Sequence, residues 1–362
     1  MASISFKNIL LGKNVLHDRG IRKALDDGTV QIKEELDDAQ FQSNELDVRI
    51  GRVDLWDPAE LNQRSSGQAS SLPGDGLFRK EEPDIAPSAS YPDEKDCRIV
   101  VPPRARGHLT FHEHVFHDPE IITLEAGLRS RRGRNGLHID DSLIIDQGEI
   151  GFNFTNRNPR PVTLYGHERF MQIFFYPEGE GDGRVVADPK ILERIAQELG
   201  GIEIWGPYLV FRAEDELLTF KQGSEPVDTR TAYREDDLFE RHKLPYVCKE
   251  FTPYLVPLLP KVNVPSNIGI QLLQMLPISP DQLQISPDES RLGLNRHMTA
   301  ACWIDSGYSG GIASQPWFWC PQVLKSGDIM ALGLAYQYGT PVERLYGTVS
   351  NTPRAQLFGS KE

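Results

Sequence analysis

The sequence predicts an all-β protein built from two consecutive units with a few short helices, and three observations carry this. The 362 residues include 26 prolines and 31 glycines, which break the chain into short apolar runs of strand length. A length of 362 residues is also about twice that of a typical domain of roughly 100–200 residues. Finally, the pattern of one half recurs in the other. LIIDQGEIGFNFTNRNPRPVTLYGHERFMQIFF (143–175) and CWIDSGYSGGIASQPWFWCPQVLKSGDIMALGLAY (302–336) share an Ile-Asp, a glycine turn, a strand, a polar or proline-marked turn, a second strand, a Gly-containing turn and a last apolar strand. Upstream, RSRRGRNGL (129–137) parallels SPDESRLGL (286–294). Any two β-meanders share some features, so it is the agreement in element order that carries the duplication reading, with a period of roughly 155–160 residues.

Residues 1–51 read as an N-terminal helix-and-strand arm of the first unit. Its helix is expected to start at Asp18, to bury Ile21, Ala24 and Leu25, and to stop at Gly28. Residues 52–96 read as a mobile insertion, because 62–96 are rich in Ser, Pro, Gly and charge. The first core is expected over 97–180 and a connecting helix within 181–201. That helix has Asp188 as cap, Pro189 at its first position, Leu192, Ile195 and Leu199 at helical spacing, and Gly200-Gly201 as its stop. The second unit is expected over 202–362. Within it, GPYLVFRAEDELLTF (206–220) reads either as a hairpin or as a strand and a helix, and RTAYREDDLFERHK (230–243) as polar surface.

Composition removes several functional classes. The formal charge of −13 argues against non-specific nucleic-acid binding, though not against a local basic pocket. No stretch approaches the ~20 apolar residues of a membrane span, and the N-terminus has neither the apolar core nor the cleavage site of a signal peptide. The four cysteines (Cys97, Cys248, Cys302, Cys320) are far apart, which suits a reducing cytoplasm better than a disulfide framework.

Several motifs, in order, resemble the dCTP deaminase branch of the dUTPase-like superfamily, in its long two-copy form. LHDRGIRKALDDGTVQI and QSNELDVRIG (within 16–51) are similar to the family's opening helix and the segment after it. Arg129–Leu137 matches R-S-S-x-x-R-x-G-L. In the second half, Arg291-Leu292-Gly293-Leu294, His297-Met298-Thr299-Ala300 and Trp303-Ile304-Asp305-Ser306-Gly307-Tyr308-Ser309-Gly310 match consecutive family motifs, and Pro341–Gly347 resembles the start of its closing tail. About two thirds of the chain is covered. The resemblance implies two fused dUTPase-like distorted β-barrel units in a homo-oligomer, by resemblance a trimer. It implies dCTP or dUTP bound with Mg2+ in clefts between subunits, and hydrolytic loss of ammonia from C4 of cytosine to give dUTP. No zinc is expected, since the H-x-E and P-C-x-x-C signature of zinc deaminases is absent, and no metal ligands are assigned.

Residue by residue, Arg129, Ser130 and Arg134 are the candidates for the triphosphate, because guanidinium groups offer paired donors to phosphate oxygens. Arg129–Arg134 holds four arginines in six residues, out of character with a chain of net −13. A solvated loop or an oligomer salt bridge is the plain alternative. By resemblance, Ser130 and Arg134 also order the attacking water. Asp146 and Asp305 lie at the Ile-Asp turns, where the resemblance to dUTPases implies an aspartate that holds the sugar hydroxyl and a water as acceptor or base; a turn-capping role suits them equally well. Tyr308 can cover a deoxyribose, and Ala300 and Tyr346 lie in matched nucleotide-binding segments. The family's general-base glutamate falls on Asn153 in one copy and Gln315 in the other, and an amide cannot exchange a proton at neutral pH. Glu149 lies four residues before Asn153, roughly 13 Å along a strand. The leading reading is therefore a dCTP deaminase-type enzyme with a replaced base; the other is a catalytically silent dNTP-binding protein. In the cluster His108, His112, His114 and His117, the run Gly107-x4-His112-x-His114-x5-Glu120-x6-Gly127 approaches the first metal motif of cupins but the second motif is missing, and surface or edge-strand histidines are the plainer reading.

Overall fold

In the computed structural model, residues 14–57, 86–129, 133, 135–139, 145, 148, 150–249, 252–274, 303–316, 318, 321–343 and 345 are described. The molecule is mostly β. Helix α1 (Asp18–Asp26) opens the described chain. Its cap is His17, one residue earlier than expected, whose Nδ1 accepts from the Arg19 N–H at 3.1 Å. Asp18 is the first helical residue and its carboxylate accepts the same N–H at 2.9 Å. Ile21 and Ala24 are buried as expected, and Gly28 turns the chain with φ +79°.

The first unit then runs through β1 (Val30–Ile32), β2 (Leu46–Trp56), β3 (Ala89–Tyr91), β4 (Arg98–Val101), β5 (Arg106–Phe111), β6 (Val115–His117), β7 (Ile122–Leu128), β8 (Leu137–Ile139), β9 (Gly151–Asn156), β10 (Val162–Tyr165) and β11 (Arg169–Pro177). Of the segment expected as an insertion, 52–56 belong to β2, 89–91 pair with it, and 58–85 lie outside the described residues. β12 (Gly183–Val185) leads to α2 (Pro189–Glu198), which is capped by Asp188 and buries Leu192 and Ile195 as its spacing predicts.

The second unit contains β13 (Glu203–Trp205), β14 (Tyr208–Ala213), β15 (Glu216–Phe220), β16 (Val227–Asp228), α3 (Glu235–Leu238), β17 (Phe239–Lys243), β18 (Tyr246–Cys248), β19 (Tyr254–Asn263), β20 (Ile268–Gln274), β21 (Trp303–Ile304), β22 (Ser309–Ser314), β23 (Gln322–Leu324) and β24 (Ile329–Tyr338). Residues 206–220 thus form two strands, and 230–243 form a short helix and a strand that bury Leu238 and Phe239.

The strand order β7-β11-β2-β5-β9 in the first unit is repeated as β20-β24-β14-β19-β22 in the second, antiparallel throughout. Both sheets carry a bulge at the matching place, between Arg169 and Met171 on β11 and between Ile329 and Ala331 on β24. The turn into the last strand is also the same. Glu168 N–H donates to Tyr165 O at 3.1 Å, and Asp328 N–H to Lys325 O at 3.2 Å. In each turn the carboxylate accepts back from the first residue's N–H, at 3.2 and 2.7 Å. The third position of such a turn needs a left-handed backbone, which glycine adopts freely. Gly327 takes it with φ +83°, but in the first unit His167 takes it with φ +58°.

Each unit has its own apolar core, and Phe174, Tyr176, Trp303, Leu334, Tyr336 and Tyr338 pack in a seam between them. Phe174 stacks on Trp303 with centroids 5.6 Å apart. The first core is completed from later in the chain, by Leu218, Val227, Leu238, Phe239 and Leu255, and β16 pairs in parallel with β10.

Candidate active site

The segment leading into β2 places acidic side chains where a strand would ordinarily bury apolar ones. Residues two apart on a strand share a face, so Glu45 and Asp47 point the same way, and both are buried, at 1% and 0% exposed. Charges this deep need partners. The Asp47 carboxylate accepts from Arg129 at 2.8 Å and from Arg169 at 3.2 Å. Gln172 Nε2 donates to Glu45 at 2.6 Å. From the second unit Asp305 enters the same group, accepting from Ser43 Oγ at 3.0 Å and from the Glu45 carboxyl. Burial, then the charges of Asp305 and Asp47, push the Glu45 carboxyl well above its ordinary range. Burial likewise pushes Asp305 up, to about 6. The pair therefore holds a proton between the units. The Tyr338 hydroxyl is buried close by, with no hydrogen-bond partner among the described residues, and burial followed by the Asp305 and Glu45 charges raises its pKa.

Asp305 owes its position to a turn. Tyr308 N–H donates to Asp305 O at 3.1 Å, with Gly307 at φ +79° as the left-handed residue. The Ser306 hydroxyl anchors the turn on Ile268 O at 2.6 Å. Tyr308 is partly buried and its hydroxyl donates to Gly311 O.

A second feature lies where the arginine loop meets the second unit. Gly133, whose N–H donates to Arg129 O, lines a small cleft of about 20 Å³ with Phe220, Pro253, Tyr254, Leu255 and Gln315. The loop thus contributes Arg129 to the buried ion cluster and Gly133 to the cleft. Asn153 is placed elsewhere. On β9 it sits between the buried Phe152 and Phe154, so it faces away from the first core, exposed beside His108 of β5. Ser130, Arg134, Asp146, Ala300 and Tyr346 lie outside the described residues, as does Glu149.

Sequence reasoning missed Glu45, Asp47, Arg169, Gln172 and Tyr338. A signal was present for the first two: acids at alternate positions of an otherwise apolar strand. The four histidines read as a possible cupin-type set do not converge. His114 pairs with Glu34 at 2.7 Å, His117 is buried on β6, His108 lies on β5, and His112 turns toward Asp93.

With the geometry described, comparison with known proteins places the chain beside dCTP deaminases. It is 26% identical over 164 residues to the dUMP-forming dCTP deaminase of Persephonella marina, covering 44% of this chain and 82% of that protein. It is 27% identical over 163 residues to the dCTP deaminase of Caldivirga maquilingensis, covering 42% and 78%. The crystal structure of the 2'-deoxycytidine 5'-triphosphate deaminase from Agrobacterium tumefaciens superposes with a TM-score of 0.67 at 16% identity, over 93% of this chain and 98% of that one. No protein-family model matches. The chain resembles dCTP deaminases in sequence, and its fold is that of the dCTP deaminase and dUTPase-like proteins.

Proposed function

We propose that the chain is a deaminase of dCTP whose working cleft lies between its own two units. The reaction adds water at C4 of cytosine and expels ammonia, turning dCTP into dUTP. The observation that carries this reading is the meeting of the arginine loop at Gly133 with Gln315, the general-base position of the second copy, in one cleft walled by Phe220 and Tyr254. With about 20 Å³ of free space the cleft holds roughly one water as it stands, far below the roughly 300–1,000 Å³ of a whole-ligand pocket. A pyrimidine ring would enter only as its walls part, with the triphosphate then reaching toward Ser130 and Arg134 and toward Arg129 if its guanidinium leaves Asp47. The side chains of that loop are chiefly guanidinium groups, which bind phosphate oxygens and not a cation. Mg2+ therefore belongs to the nucleotide as its counter-ion, a common arrangement for this ion. Asp305 and Tyr308 serve the site from the second unit. The shared strand order of the two units supports their origin as copies. We read the protein as cytoplasmic and homo-oligomeric, with a trimer the family's form.

A specific observation favours a second reading, a catalytically silent nucleotide binder. The two base positions carry amides, and losing a positioned acid or base removes about 10²–10⁴ of rate. The test is incubation of the protein with dCTP and Mg2+, and in parallel with dUTP, with products separated by chromatography. Appearance of dUTP or dUMP that is lost in Arg134→Ala supports the enzyme. Turnover lost in Glu45→Gln with binding kept would assign proton transfer to the buried carboxyl pair. No turnover with dNTP-dependent thermal stabilisation supports the binder; neither effect removes both readings.

A further inference from the structure

We propose that Asp93, His112 and His167 form a binding site for a first-row divalent transition-metal ion, which clamps three turns at one end of the first unit. The site follows from how β2 is built. Its register shifts between Ile50 and Val53 against β5, and β11 shifts opposite it between Arg169 and Met171. Over this stretch the turn after β5 and the turn before β11 converge from opposite sides. His112 N–H donates to Arg49 O at 3.0 Å, and His167 N–H to Ile50 O at 2.9 Å. Gly51 permits the approach, since a Cβ there would lie 2.9 Å from the His112 nitrogen. The two imidazoles therefore lie against each other, with centroids 4.0 Å apart and planes tilted by 35°.

Asp93, in the turn after β3, closes the set. His112 Nδ1 lies 3.0 Å from one carboxylate oxygen and His167 Nε2 lies 2.7 Å from the other. One donor atom from each of the three residues lies within 4.8 Å of the others. Donors bound to one metal at about 2.1 Å sit roughly 3.0–3.4 Å from each other, so the two nitrogen–oxygen separations need to change by less than about 1 Å as the side chains draw round an ion. Two imidazoles and a carboxylate suit Zn2+, Co2+, Fe2+ or Mn2+ more than Mg2+ or Ca2+. Each ring would present its bare nitrogen to the ion and keep its proton on the other.

The comparison with the second unit makes His167 stand out. The matching turn uses Gly327, with the same backbone and side-chain hydrogen bonds and φ +83°. At φ +58° His167 pays a conformational penalty that glycine would avoid. A residue kept in such a conformation points to a use for its side chain, and that side chain faces His112 and Asp93. The site is separate from the arginine loop and the cleft at Gln315, so it does not rest on the proposed activity.

The test uses the whole chain, freed of metal by a chelator and then titrated with Zn2+ by calorimetry and with Co2+ by visible absorption. We expect one saturable equivalent per chain, a rise in melting temperature with Zn2+, and no comparable effect of Mg2+. His112→Ala and Asp93→Asn should weaken binding about tenfold or more. His114→Ala, which removes the separate pair with Glu34, should leave it unchanged. His167→Gly guards against simple misfolding: it should melt at or above the metal-free parent and lose the response to Zn2+. No saturable binding, or binding that persists in His167→Gly, would overturn the proposal.

Discussion

The same patch of sheet is charged in the first unit and apolar in the second. With the two bulges aligned, the Arg49·Arg169 pair of β2 and β11 matches Arg212·Ile329 of β14 and β24, and the register continues alike on both sides. Glu45, Asp47, Gln172 and Arg169 then occupy the positions held in the second unit by Tyr208, Val210, Leu332 and Ile329. Those second-unit residues form a small apolar cluster with Trp205, in which Val210 and Ile329 are each 1% exposed. Backbone geometry therefore does not decide the character of this face. What differs is what meets it: in the first unit Arg129 and Asp305 arrive with matching hydrogen-bonding groups. Buried ion clusters are seldom the most stabilising way to fill space, and an apolar set of similar volume often does as well or better. The second unit displays that apolar solution, which argues that the first keeps its charges for a reason other than stability.

The largest expected effect that would break or sharpen this comparison is Asp47→Ala. It strands two guanidinium groups and should lower unfolding free energy by about 3–5 kcal/mol, measured by urea denaturation. The matching change in the apolar face, Val210→Ala, removes two methyl groups and should lower it by about 2 kcal/mol. If the two losses are equal, the contrast between the faces has no energetic content. A third effect is a slope. Because folding raises the pKa of both Glu45 and Asp305, the folded chain binds protons more tightly than the unfolded chain. The stability from this pair is fully present below the ordinary carboxylate range and declines as pH rises, the Asp305 part being lost through about 6 and the Glu45 part as pH passes its own raised value. Thermal melts of Asp305→Asn should show a weaker decline over that window than the parent; an unchanged decline would place the titration elsewhere. The smallest effect is expected at the matched turns. Gly327→Ala should destabilise by about 1 kcal/mol, because alanine must take the left-handed backbone there.

Much of the fold was legible because local chemistry dictates it. Asp188-Pro189 and Gly200-Gly201 bracket a helix whose apolar spacing leaves little choice, and the repeated glycine turns anticipated the repeated strand order. The arginine loop announced itself by charge in an acidic chain, and Asp305 by its glycine turn. The rest of the candidate site was hidden because its meaning depends on contacts distant in sequence. Arg169 and Gln172 sit in RFMQIFF, which reads as a core strand until β2 brings Glu45 and Asp47 against it. Asn153 shows the converse. It can be aligned by spacing, but strand alternation turns it outward beside His108.

That the first core is closed by Leu218, Val227, Leu238, Phe239 and Leu255 bears on how the protein is made. A ribosome delivers the chain from its N-terminus, so β11 is out long before these residues are. At roughly 5–20 residues per second, the 75 residues from 180 to 255 add about 4–15 s during which the nascent first barrel waits with an open side. A fragment ending at residue 201 would be left permanently in that waiting state, exposing the surface that chaperones hold, and the two halves are thus bound to mature as one unit of synthesis.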